Sequence, residues 1–128
     1  MADKSAVRTE KAPAPFQGAP YSQAIKAGDY VFVSGQLGLQ PGDTEISGDI
    51  AEQTEQVFRN LRAILEQAGS ELDRLVKTTV FLTDLDDFQA MNEVYARHVG
   101  ELPPARATVE ISALPSGANV EIEAVALL

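Results

Sequence analysis

The sequence predicts an α+β fold: a single sheet with two helices packed on one face. Three features of its 128 residues lead there. Two segments carry helical periodicity, five others alternate or are rich in β-branched residues, and turn chemistry separates them. Their order is β-β-α-β-α-β-β. The length suits one domain with one core, residues 1–128, in which residues 1–11 form an N-terminal arm or edge strand.

Val7 to Thr9 are expected to give a short edge strand, and Lys11-Ala-Pro-Ala-Pro an extended connector. Ser22–Lys26 and Tyr30–Gln36 flank Ala27-Gly28-Asp29, a hairpin turn. Simple alternation puts Tyr30, Phe32 and Ser34 on one face and Val31, Val33 and Gly35 on the other. Residues Ile50, Thr54, Val57, Phe58, Leu61, Ile64, Leu65 and Ala68 keep helical spacing over five turns. Asp49 and Glu52 make a capping-box start, and Gly69 is a natural stop. Leu75–Thr83 reads as a central strand. A second helix begins near Asp84 or Asp86 and ends at Gly100, with the stripe Phe88, Met91, Tyr95 and Val99. Asn92 falls on or beside that stripe. Ala105–Ser112 and Asn119–Leu127 both alternate, joined by Leu114-Pro-Ser-Gly117. With both helices on one face the other face is bare and partly apolar, which predicts burial against a second copy of the chain.

Composition excludes several classes of function. Lys plus Arg total 10 against 19 Asp plus Glu, a net charge of −9, which opposes binding to nucleic acid or an anionic membrane. There is no Cys, hence no disulfide, thiolate metal site or Cys nucleophile. One His, His98, makes a zinc site or a Ser-His-Asp triad a poor fit. Ser34-Gly-Gln-Leu-Gly38 fails the spacing of nucleotide-binding glycine loops. No apolar run is long enough to span a membrane, and Met1–Arg8 lacks the apolar core of a signal peptide; the expected address is cytoplasmic.

On the first C-terminal strand Ala105, Ala107, Val109 and Ile111 share an apolar face opposite Arg106, Thr108 and Glu110. On the last, Val120, Ile122, Ala124 and Ala126 oppose Glu121, Glu123, Val125 and Leu127. Burial tendencies alone make Arg106, Glu121 and Glu123 solvated strand positions. Two details pull the other way. Pro103-Pro104 rigidifies the approach to Arg106, which suits a fixed side chain and equally an edge strand, and the face of Glu123, Val125 and Leu127 mixes charge with apolar character as a subunit interface does.

Several segments together resemble the RidA (reactive intermediate deaminase A, or YjgF) family. They are Gly18-Ala-Pro-Tyr-Ser-Gln-Ala24, Val33-Ser-Gly-Gln36, Val76-Lys-Thr-Thr-Val80, Phe88-Gln-Ala-Met-Asn-Glu-Val-Tyr95, Pro104-Ala-Arg-Ala-Thr-Val-Glu110 and Glu121-Ile-Glu-Ala-Val-Ala126. The resemblance implies a chorismate-mutase-like mixed sheet, a homotrimer with clefts between subunits, and hydrolysis of 2-enamine and 2-imino acids such as 2-aminoacrylate to 2-oxo acids and ammonia. It implies no cofactor and no metal. Carried over by position, the catalytic residues are Arg106 and Glu121, and the substrate-binding ones Tyr21, Ser34, Gly35, Asn92 and Thr108. Many members have Cys where this chain has Thr108.

The residue types suit that chemistry. A planar guanidinium takes a carboxylate bidentately, and a glutamate can deprotonate a water aimed at an electrophilic imine carbon. A different class of reading is a non-catalytic or regulatory module that binds 2-oxo acids on the same fold. If the last two strands form a hairpin, Arg106 falls opposite roughly Val125, about 13 Å along the strand from Glu121, so either long side chains close the gap or a neighbouring subunit completes the site.

Overall fold

A computed structural model describes residues 3–128; residues 1 and 2, the tip of the expected N-terminal arm, lie outside the described residues. The strands are β1 (Lys4–Val7), β2 (Ala24–Ala27), β3 (Tyr30–Leu37), β4 (Leu75–Leu82), β5 (Ala105–Glu110) and β6 (Val120–Leu127). The helices are α1 (Ile50–Ala68) and α2 (Phe88–His98). All six strands form one mixed sheet in the order β1-β2-β3-β6-β4-β5, with only β4 and β5 parallel.

Local sequence explains most of these boundaries. The Asp49 side chain accepts from the Glu52 amide while Glu52 reaches back to the Asp49 amide, and Gly69 closes α1 in the left-handed conformation. α2 starts later than expected. A short turn at Leu85–Asp87, capped by Asp84, comes first. The expected edge strand forms three residues upstream, because Lys4–Val7 is the stretch that pairs with Ala24–Ala27.

Both helices cover one face. Val57, Phe58, Leu61, Ile64 and Leu65 of α1 and Met91 and Tyr95 of α2 pack on Val31, Val33, Val80, Val120, Ile122 and Ala124 in one core. The other face is open. Tyr30, Phe32, Val109 and Leu127, each more than a third exposed, lie along it.

Two expectations fail. β5 and β6 do not form a hairpin: β4 lies between them, and Arg106 pairs with Thr78, which pairs in turn with Ala124. Leu75–Leu82 is therefore one strand in from the edge, and the middle of the sheet is β3 and β6. Alternation also breaks at Ser34-Gly35, where a register shift lets Gln36 instead of Gly35 resume the buried side opposite Ile122.

Candidate functional site

The predicted site residues fall into two groups on opposite faces of the sheet. The first surrounds Glu121. Its neighbours across the strands are Leu37 and Phe81, and with Tyr21, Ser34, Gly35 and Glu123 it lines a cleft of about 530 Å³ on the open face. The bulge at Ser34-Gly35 makes room for it. A Cβ on Gly35 would lie 2.6 Å from Glu121 Oε1, so glycine is what lets the carboxylate lie across the neighbouring strand. Burial among these groups, followed by the charge of Glu123 two positions on, raises the Glu121 carboxyl above its ordinary value.

The wall of this cleft is the segment from Pro13 to Tyr21. The Phe16 amide donates to the Tyr21 hydroxyl at 2.6 Å, and Ser34 Oγ donates to the Ser22 carbonyl at 2.6 Å. Buried Gln23 ties the approach down: Oε1 accepts from the Thr9 amide, and Nε2 donates to the carbonyls of Thr9, Ala12 and Pro13. The stretch expected as a plain connector is therefore a fixed wall.

The second group lies under α2. Arg106 Nη1 donates to Asn92 Oδ1 at 2.8 Å, and the guanidinium carbon is 4.7 Å from the Tyr95 ring centroid and 5.5 Å from that of Phe88. Arg106 has no carboxylate partner among the described residues. Thr108 follows two residues on, on the same side of β5, and its buried hydroxyl has no hydrogen-bond partner among the described residues. The apolar side of β5, with Ala105, Ala107 and Val109, faces away from the helices and is exposed.

Strand spacing and rise put Arg106 and Glu121 roughly 14 Å apart, with the sheet between their side chains. The expected separation along the strand is thus replaced by a stronger one. No long side chain closes a gap through a sheet.

Phe88 and Tyr95 were legible only as core stripe. Their spacing to Asn92, four and three residues, was the signal that one helix face also holds a polar group. His98 belongs elsewhere: its ring stacks on Phe58 at 4.7 Å, and Nε2 meets Glu55 at 3.1 Å. No group of three or more His, Asp or Glu placed to hold a metal occurs among the described residues, and no helix there is long and apolar enough to cross a membrane.

The sequence profile of the family described as endoribonuclease L-PSP matches residues 9–128. The chain belongs to this family, which includes the RidA proteins. A RutC family protein of Pyrococcus abyssi is 52% identical over 124 residues, covering 96% of each chain. The human protein named 2-iminobutanoate/2-iminopropanoate deaminase is 41% identical over 122 residues, 94% of this chain and 88% of that one. The crystal structure of yeast Mmf1 superposes with a TM-score of 0.92 at 41% identity, covering 98% of both. RidA-type folding thus extends over nearly all of the chain.

Proposed function

We propose that the protein hydrolyses reactive 2-enamine and 2-imino acids, of the 2-aminoacrylate and 2-iminobutanoate class, to 2-oxo acids and ammonia, in a homotrimer. The observation that carries this reading is Arg106: a guanidinium held by an amide oxygen and two rings, with no carboxylate among the described residues to neutralise it. Such a group awaits an anionic ligand, and a planar fork matches a carboxylate. The human relative's name supplies a substrate class with that carboxylate.

The two half-sites combine when the β5–α2 edge of one protomer meets the Glu121 cleft of the next. Arg106 then holds the substrate carboxylate, with Asn92 and Thr108 beside it. Glu121 takes a proton from water as its oxygen bonds to the imine carbon, the C=N electron pair goes to nitrogen, and Glu121 passes that proton on to the nitrogen. Collapse of this carbinolamine breaks the C–N bond, releases ammonia and leaves the 2-oxo acid. Tyr21, Ser34 and the backbone at Gly35 line the water side. Exposed Tyr30, Phe32 and Val109 supply the apolar surface that association buries.

Ribonuclease activity, which the family description names, has less support here. The net charge is −9, and the one histidine is bound to Glu55 on the helix side, away from Glu121. The test is release of ammonia from 2-aminoacrylate generated in situ. Wild type should accelerate it, and Arg106→Ala should lower kcat/KM by about 100-fold or more, the loss expected when a half-buried charge-assisted clamp is removed. Wild-type rates in Arg106→Ala refute the carboxylate assignment. Binding of 2-oxobutanoate without turnover refutes catalysis in favour of a binding module.

A further inference from the structure

We propose that Tyr95 and Phe88 are positioning residues that fix the plane of the Arg106 guanidinium; this rests on Arg106 as the carboxylate holder. Arginine has a long, rotatable stem, and bidentate binding needs its terminal plane set in advance. The Asn92 hydrogen bond fixes one nitrogen and leaves the plane free to turn about it. The rings at 4.7 and 5.5 Å remove that freedom.

The Tyr95 ring is itself held. Its hydroxyl lies 2.6 Å from Thr78 Oγ1 in a buried hydrogen bond, and Phe58 packs against it edge-on at 5.4 Å. Thr78 is also the cross-strand partner of Arg106. Strand β4, helix α2 and strand β5 thereby close a ring of contacts around one side chain. Phe88, Asn92 and Tyr95 sit at i, i+4 and i+7, so a single helix face carries all three contacts.

The chemistry of this socket matters as much as its shape. Asp or Glu would hold the arginine equally well, but would compete with the substrate carboxylate. Neutral rings and an amide orient the charge without cancelling it. They also keep water from one side of it, which strengthens the remaining interaction.

Two readouts test the socket: the Kd of 2-oxobutanoate, and the NMR signal of the Arg106 Nε–Hε group, identified by its loss in Arg106→Ala. Tyr95→Leu should weaken binding about tenfold and Phe88→Leu about threefold, whereas Tyr95→Phe, which keeps the ring, stays within about twofold. The Nε–Hε signal should move toward that of a free arginine in both leucine variants and hold its place in Tyr95→Phe. An unmoved signal in the leucine variants overturns the proposal. Should Tyr95→Leu fail to fold, Phe88→Leu decides alone, since Phe88 is 39% exposed. If Arg106→Ala binds 2-oxobutanoate as wild type does, the carboxylate reading fails, and the NMR signal still decides the socket.

Discussion

At Gly35 one missing methyl group decides where a carboxylate lies. A Cβ there would stand 2.6 Å from Glu121 Oε1 and 2.7 Å from its Cδ, both at the movable end of a side chain. Gly35→Ala should therefore push Glu121 aside instead of unfolding the strand, where alanine is otherwise preferred by about 0.5–1 kcal/mol. The expected outcome is a thermal midpoint at or near wild type with kcat reduced about 100-fold, the lower end for loss of a general base. A variant with wild-type turnover would show that Glu121 does not act from this position. The pH profile probes the same carboxyl. Burial first, and Glu123 second, raise its pKa, so with Glu121 as the base the acid limb of kcat/KM should sit above that of an ordinary glutamate. Glu123→Gln removes the like charge and should move that limb to lower pH, without reaching the ordinary value, because burial remains. The sign for stability follows. The folded state holds this proton more tightly than the unfolded one, so its contribution is lost as pH rises from the ordinary to the raised pKa.

Single elements show what a sequence discloses and what it hides. The capping box at Asp49, the stop at Gly69 and the alternation of Val120 to Leu127 were all legible, because each depends on residues a few positions apart. The pairing of β5 was hidden by its short link to β6: Leu114-Pro-Ser-Gly117 has turn chemistry, yet β6 inserts between β3 and β4. The contrary signal was a strand-helix-strand run over β4, α2 and β5, the usual form of a parallel pair. The roles of Gln23 and the 9–13 segment were hidden for another reason. Four hydrogen bonds from one side chain to an irregular backbone leave no periodic mark. They nevertheless set the cleft wall. Gln23→Ala leaves those backbone groups unpaired, at about 1–3 kcal/mol for each that water does not reach. Amide exchange should accelerate across residues 8–21 and stay unchanged in α1, since a wall tied at one point opens locally. Acceleration spread evenly through the core would contradict this.

For the whole molecule, the sheet itself is the obstacle that the proposed association would remove. It separates Arg106 from Glu121 by roughly 14 Å and two faces, so one protomer cannot present both to a three- or four-carbon acid. It also leaves an apolar face with Tyr30, Phe32, Val109 and Leu127 exposed, the side on which Glu121 opens. The proposed cyclic trimer would answer both needs at once: each interface would bury part of that face and bring one Arg106 edge to one Glu121 cleft. Subunit mixing separates this from any arrangement that builds the site within one chain. Arg106→Ala and Glu121→Ala should each lose about 100-fold or more of the activity alone. In a ring, every site takes its arginine from one subunit and its glutamate from the neighbour. Denaturing the two variants together and refolding them at equal amounts should give intact sites at about one quarter of the interfaces, the chance that both donors are the unaltered kind. Ammonia release should then recover to about one quarter of wild type, tracking the mixing ratio and absent when the variants are refolded apart. No recovery after mixing, with trimers formed, would mean that the two residues do not serve one site across an interface.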